Sequence, residues 1–225
     1  MLLEICCGSV NEAIEAEAGG ADRVELCASL SVGGLTPSSE TIVDAKRRLR
    51  IPAVVMIRAR GGDFCYTEPE FAAMVADAEA AVARDVAGLV FGALNEDGAI
   101  DLARTRRLRD LAGARDAVFH RAFDLTPDPF RALDELVDLG LTRILTSGRQ
   151  NTALEGADLL RRLVDYAGQR IQIMPGGGIR PFNVDAIVAR TGCRQIHSGV
   201  TERKAVEQLA RAIRSQVIMD DSRLS

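Results

Sequence analysis

Two copies of one pattern carry the first chemical signal: Glu4-Ile5-Cys6 and Glu25-Leu26-Cys27. Each sets a carboxylate two residues before a thiol, the spacing that puts both on one face of a β-strand. If the two strands are neighbours, about 5 Å apart, Cys6 and Cys27 converge on one soft ion. Thiolates select Cu(I) or Zn(II). Zinc asks for four ligands, more than two cysteines supply; linear two-coordinate Cu(I) asks for no more than these. The competing reading is that both are small buried apolar residues, the usual fate of a free cysteine.

The chain has two histidines, His120 and His197, and each ends a strand candidate. Arg58 ends another, with Arg60 two residues later. Together with Glu4 and Glu25 they form a set suited to acid–base chemistry. Glu4, Glu25 or His120 would move protons, while Arg58 and Arg60 would grip an anion as bidentate donors. Asp124, four residues after His120, is a further acid. A polar network whose charges pair with one another is the competing reading. Gly176, Gly177 and Gly178 follow the alternating run IQIM and precede a helix predicted to start directly afterwards. Bare backbone there can approach a phosphate or carboxylate, or can simply turn. The loop Gly61-Gly62-Asp63-Phe64-Cys65-Tyr66 reads as a lid or an ordered turn. The only lysines, Lys46 and Lys204, fall in helical stretches, so a Schiff-base nucleophile is missing. No HExxH motif occurs.

These residues depend on the elements that carry them. Strand candidates are Leu2 to Cys6, Arg23 to Cys27, Ala53 to Arg58, Gly88 to Gly92, Asp116 to His120, Arg143 to Thr146, Ile171 to Met174 and Arg194 to His197. Helical stretches separate them, one unit per roughly 28 residues, the size of a βα unit. Thr67 with Glu70 reads as a capping box, and Asp128-Pro129 as an N-cap followed by proline. Alternating β and α units predict a parallel sheet. An open doubly wound sheet competes with a (β/α)8 TIM barrel; the even spacing and the count of eight favour the barrel. The first turn, Cys7 to Asn11, lacks a dinucleotide fingerprint. With no linker or composition break, residues 1–225 read as one domain. By parity Leu145 joins the helix-facing set, while Glu4, Cys6, Glu25, Cys27, Arg58, His120, Thr146 and His197 face the lumen near strand C-termini. Barrel enzymes place their chemistry there.

Composition sets bounds. The 225 residues are 47% hydrophobic with a net charge of −4, so a large core is expected and a basic nucleic-acid footprint is not. No run of about eighteen apolar residues predicts a membrane span. The start, MLLEICCGS, meets an acid at Glu4 and does not read as a signal peptide. Five cysteines without CxxC spacing predict free thiols in the reducing cytoplasm.

Seven blocks in order carry a resemblance: EICCGS, GGADRVELCASLSVGGLTPS, VMIRARGGDFCYTEPE, GLVFGALNEDGAID, FHRAFDLTPDP, LTSGRQNTALEG and IMPGGGIRPFNV. Along nearly its full length the chain resembles the CutC family, named for copper homeostasis. The resemblance implies a cytoplasmic (β/α)8 barrel, a homodimer or homotetramer, and a match of Cys6 and Cys27 to the cysteines proposed as Cu(I) ligands in a relative. It also implies that the Glu, Arg and His residues at the strand ends line a cavity. Ala59 stands where the family usually has proline, and HSGVTERKAV replaces a Ser-Ala-Arg-like stretch in the loop that helps build the phosphate site of many barrels. Three functions are thus expected in decreasing order. The first is Cu(I) binding through thiolates; the second is acid–base catalysis on a small anionic compound such as a sugar or sugar phosphate. The third is an oligomeric scaffold without a ligand.

Overall fold

The computed structural model describes residues 1–221, with side chains for residues 1–215. Its eight strands are β1 (Leu2–Cys7), β2 (Arg23–Leu26), β3 (Ala53–Met56), β4 (Gly88–Phe91), β5 (Asp116–Phe119), β6 (Arg143–Thr146), β7 (Gln172–Pro175) and β8 (Gln195–Ser198). All pair in parallel, in the order β7-β6-β5-β4-β3-β2-β1-β8. β7 and β8 stand side by side, so the sheet curls into a nearly closed (β/α)8 barrel. Eight helices follow the strands: α1 (Val10–Ala18), α2 (Ser39–Arg48), α3 (Glu68–Val82), α4 (Leu102–Ala112), α5 (Pro129–Asp138), α6 (Ala157–Ala167), α7 (Val184–Thr191) and α8 (Arg203–Asp221).

Local chemistry explains where helices begin. The Thr67 hydroxyl accepts from Glu70 N while the Glu70 carboxylate accepts from Thr67 N, a capping box opening α3. Asp128 accepts from the Phe130 and Arg131 amides, with Pro129 at the first helical position of α5. The main core lies between barrel and helices, where Leu3, Ile5, Val24, Leu26, Phe91 and Phe119 are fully shielded.

Three local expectations need correction. β3 ends at Met56 and β5 at Phe119, so Arg58 and His120 sit just beyond their strands. Helix α7 starts at Val184, well after the glycines. Asn183 breaks the run: its side chain donates to Gly178 O and accepts from Arg180 N, holding residues 179–183 as a turn. Leu145 faces the lumen and Thr146 faces out. Leu145 pairs directly with Met174 and joins it in the interior cluster. Arg143, two residues earlier on the same face, is needed inside the barrel floor.

The lumen is laterally divided. Val54, Met56, Val90, Val118, Leu145 and Met174 form an apolar belt on β3 to β7. Along β2, β1 and β8 runs a polar column. At its floor Gln195 accepts from both Arg23 (2.9 Å) and Arg143 (3.0 Å), and Arg143 also reaches Asp116 at 2.6 Å. Arg23 in turn donates to Glu4. Residues from strands distant in sequence thereby neutralise one another inside the barrel.

Candidate functional site

At the mouth of that column β1 and β2 present their cysteines together. Cys6 Sγ and Cys27 Sγ are 3.7 Å apart, and the ligand atoms of Cys6, Glu25 and Cys27 all lie within 4.8 Å of one another. Register decides what the thiols can become. Cys6 sits opposite Glu25, so Cys27 is its diagonal neighbour. Strands about 4.8 Å apart with a two-residue offset of about 6.6 Å put these Cα atoms on the order of 8 Å apart, beyond the usual reach of a disulfide. An ion can bridge this gap where a covalent S–S bond would strain the backbone.

The two thiols differ. Cys6 is held well below the ordinary thiol range, first by the Cys27 S–H bond and then, against its burial, by the bond from His197. Cys27, donating to that thiolate and buried, is pushed up. Of the two, Cys6 is thus the readier thiolate.

His197 organises the charges around them. Its Nδ1 lies 2.9 Å from Glu4 Oε1 and its Nε2 3.6 Å from Glu25 Oε2. Burial opposes charging the ring, but bonds to Cys6 and Glu4 and the Glu25 charge outweigh it, and its pKa rises. Glu4 goes the other way. Burial would raise it, yet His197 and Arg23 bring it down to about 2. Glu25 is pushed up by burial and then by the Cys6 charge, and its Oε1 has no hydrogen-bond partner. Thus Glu4 is held as an anion, the His197 ring is biased towards its charged form, and Glu25 keeps one oxygen without a hydrogen-bond partner beside the thiol pair.

Arg58 and His120 form a second group. The Arg58 guanidinium donates to the carbonyls of Val32 (2.9 Å), Gly34 (3.3 Å) and Gly62 (2.8 Å), tying two mouth loops together. His120 Nδ1 accepts from Ala122 N at 3.2 Å. Burial, then the Arg58 charge, bring its pKa down to about 3, so the ring is neutral. A Cβ at Gly92 would lie 2.6 Å from that ring, which is why residue 92 has no side chain.

The remaining expected residues sit apart. Arg60 is paired with Asp63 (2.9 Å) and Glu70 (2.7 Å) and lies over Tyr66, so it makes no fork with Arg58. Asp124 accepts from Thr146 Oγ1 (2.5 Å), from the Ser147 and Arg149 amides and from Arg121; it staples the turn after β5 to the loop after β6. Gly176 borders the His197 ring, where a Cβ would come within 3.3 Å. Gly177 and Gly178 have φ of 105° and 68° and pack against Ser147 and Thr152.

Sequence reasoning missed Arg23, Arg143, Gln195 and Tyr66. Arg23 could have been found, since it shares the parity of Glu25 and Cys27. Arg143 and Gln195 begin strands whose floor partners lie far away in sequence, and no local pattern announces them.

A (β/α)8 barrel with a thiol pair and a charged imidazole array at its mouth defines the class of protein. Within that class the chain belongs to the CutC family, whose sequence model matches residues 1–202. It is 46% identical over 202 residues to a CutC family protein of Treponema denticola, covering 90% of this chain and 82% of that one. It is 47% identical over 196 residues to the human copper homeostasis protein cutC homolog, covering 87% and 72%. A solved CutC structure from Streptococcus agalactiae superposes with a TM-score of 0.85 at 37% identity, over 88% of this chain and 98% of that one.

Proposed function

We propose that this protein binds Cu(I) between the thiolates of Cys6 and Cys27, as a copper homeostasis protein of the reducing cytoplasm. The observation that carries the reading is the 3.7 Å approach of the two sulfurs. Metal–sulfur bonds of about 2.3 Å place two sulfurs about 4.6 Å apart across a linear ion, so small side-chain rotations admit one. Soft thiolates suit Cu(I). The array around them supplies the rest. Binding the ion displaces thiol protons, His197 balances the resulting negative charge, and Glu25 offers its free oxygen as a third, weaker donor. A three-atom donor set falls short of a tetrahedral zinc site.

Further support comes from the five free cysteines, which belong in a reducing compartment. Among the described residues no helix is long and apolar enough to cross a membrane. Exposed apolar side chains on the mouth loops, Leu125 and Phe182, favour assembly into a homodimer or homotetramer, which light scattering of the purified protein checks.

Anaerobic competition with a Cu(I) chelator tests the site. The parent should compete for one ion per chain, and Cys6→Ala/Cys27→Ala should not. Undiminished binding by the double variant overturns the assignment.

A further inference from the structure

Of the buried side-chain groups left without a hydrogen-bond partner among the described residues, two flank the Phe64 ring, and a third follows two residues after it in the chain. They are Arg58 Nε, His120 Nε2 and Tyr66 Oη, and each residue is at most 5% exposed. Arg58 Cζ stands 4.7 Å from the centre of the Phe64 ring and the His120 ring 4.8 Å from it. Tyr66 lies close enough to Arg58 to feel its charge.

Each group is unusual in the same sense. Among the described residues no carboxylate pairs with Arg58; its partners are three neutral carbonyls. A buried guanidinium without a counter-charge is costly unless an anion joins it. Because His120 Nδ1 accepts a backbone N–H, its single proton sits on Nε2, the atom with no acceptor. The Tyr66 hydroxyl is a third donor. Unpaired buried donors cost about 1–3 kcal/mol each, so three together signal a missing acceptor group rather than three separate faults.

We propose that Arg58, His120 and Tyr66 form a pocket for the carboxylate of a small organic acid, closed in this state by the Phe64 ring. One uncompensated positive charge and three N–H or O–H donors match a monoanion with two oxygens. A phosphate dianion would leave charge unbalanced. Phe64 is half-buried, and its carbonyl is held by Leu94 N at 2.9 Å, so the ring can swing while its backbone stays. The pocket adjoins the thiols. Gly34 O accepts from Arg58, and a Cβ on Gly34 would lie 3.2 Å from Cys27 Sγ. The proposal is independent of the copper site and goes beyond it.

The two histidines of the chain permit a direct test. In protein labelled with 15N-histidine, acetate and lactate should each move the His120 Nε2–H signal saturably, with chloride at equal ionic strength giving no shift. His120→Gln assigns that signal by removing it. Tyr66→Phe, which keeps the packing and the reporter, should weaken carboxylate binding about tenfold. The proposal falls if neither carboxylate gives a saturable shift, if inorganic phosphate binds as well as they do, or if Tyr66→Phe binds them undiminished.

Discussion

His120 is a neutral ring kept so by burial and by the Arg58 charge, with its pKa down at about 3 against an ordinary 6.5. The sign of its effect on stability follows. Above pH 6.5 neither state binds the proton. As pH falls from 6.5 towards 3, the unfolded chain takes a proton that the folded chain refuses, and stability drops. Between pH 7 and pH 5 this amounts to about 2 kcal/mol. Urea denaturation at the two pH values should show that His120→Gln loses about 2 kcal/mol less than the parent on acidification. Glu4 acts in a lower window. Its depressed pKa contributes stability present above 4.5 and lost as pH falls towards about 2, so it does not confuse this comparison. Glu25 makes a different forecast. If its free oxygen joins the ion, Glu25→Gln should weaken Cu(I) binding by about tenfold, measured by chelator competition, while the two-thiol core still binds.

Single elements place these residues, and their failure has its own scale. The Thr67–Glu70 box starts α3 directly after the 60–66 loop. Thr67→Ala should cost about 1 kcal/mol in urea titration, with no change in Cu(I) affinity because α3 contributes no thiol. Asp124 reads in the sequence as a possible acid, yet apart from the Arg121 pair within its own turn its contacts are staples between the turn after β5 and the end of β6 with its loop. Asp124→Ala strands several of these donors. It should cost about 2–4 kcal/mol and likewise spare the thiol site. A loss of Cu(I) binding in the folded variant would show that the β5–β6 side of the mouth contributes more than support.

Across the whole molecule, closure is the property that brings β1, β2 and β8 together, and closure is weakest at one seam. Strand ladders join every neighbour from β7 round to β8 through β1, while β7 and β8 lie side by side without a ladder, and the Gln195 side chain donates to Gln172 across the gap. Amides of β7 and β8 that face this seam should exchange with deuterium earlier than those of β4, which is laddered on both sides. Equal protection would mean that the seam is as firmly bonded as the rest.

Much of this was legible in residue order. Strand–helix alternation, eight units and the parity of Glu4, Cys6, Glu25 and Cys27 follow from local periodicity, which depends only on near neighbours. The same periodicity failed at Leu145, because an apolar side chain fits either the helix layer or the apolar half of the lumen, and only the pairing with Met174 chooses. It also could not separate Arg58 from Arg60. Two arginines at one spacing look alike until the fold sets carboxylates beside one and carbonyls beside the other. Which charges meet inside the barrel, Arg23 with Glu4 and His197 with both glutamates, was decided by tertiary structure alone. Those partners lie up to 193 positions apart, and buried charge is paired by proximity in space, which no local pattern encodes.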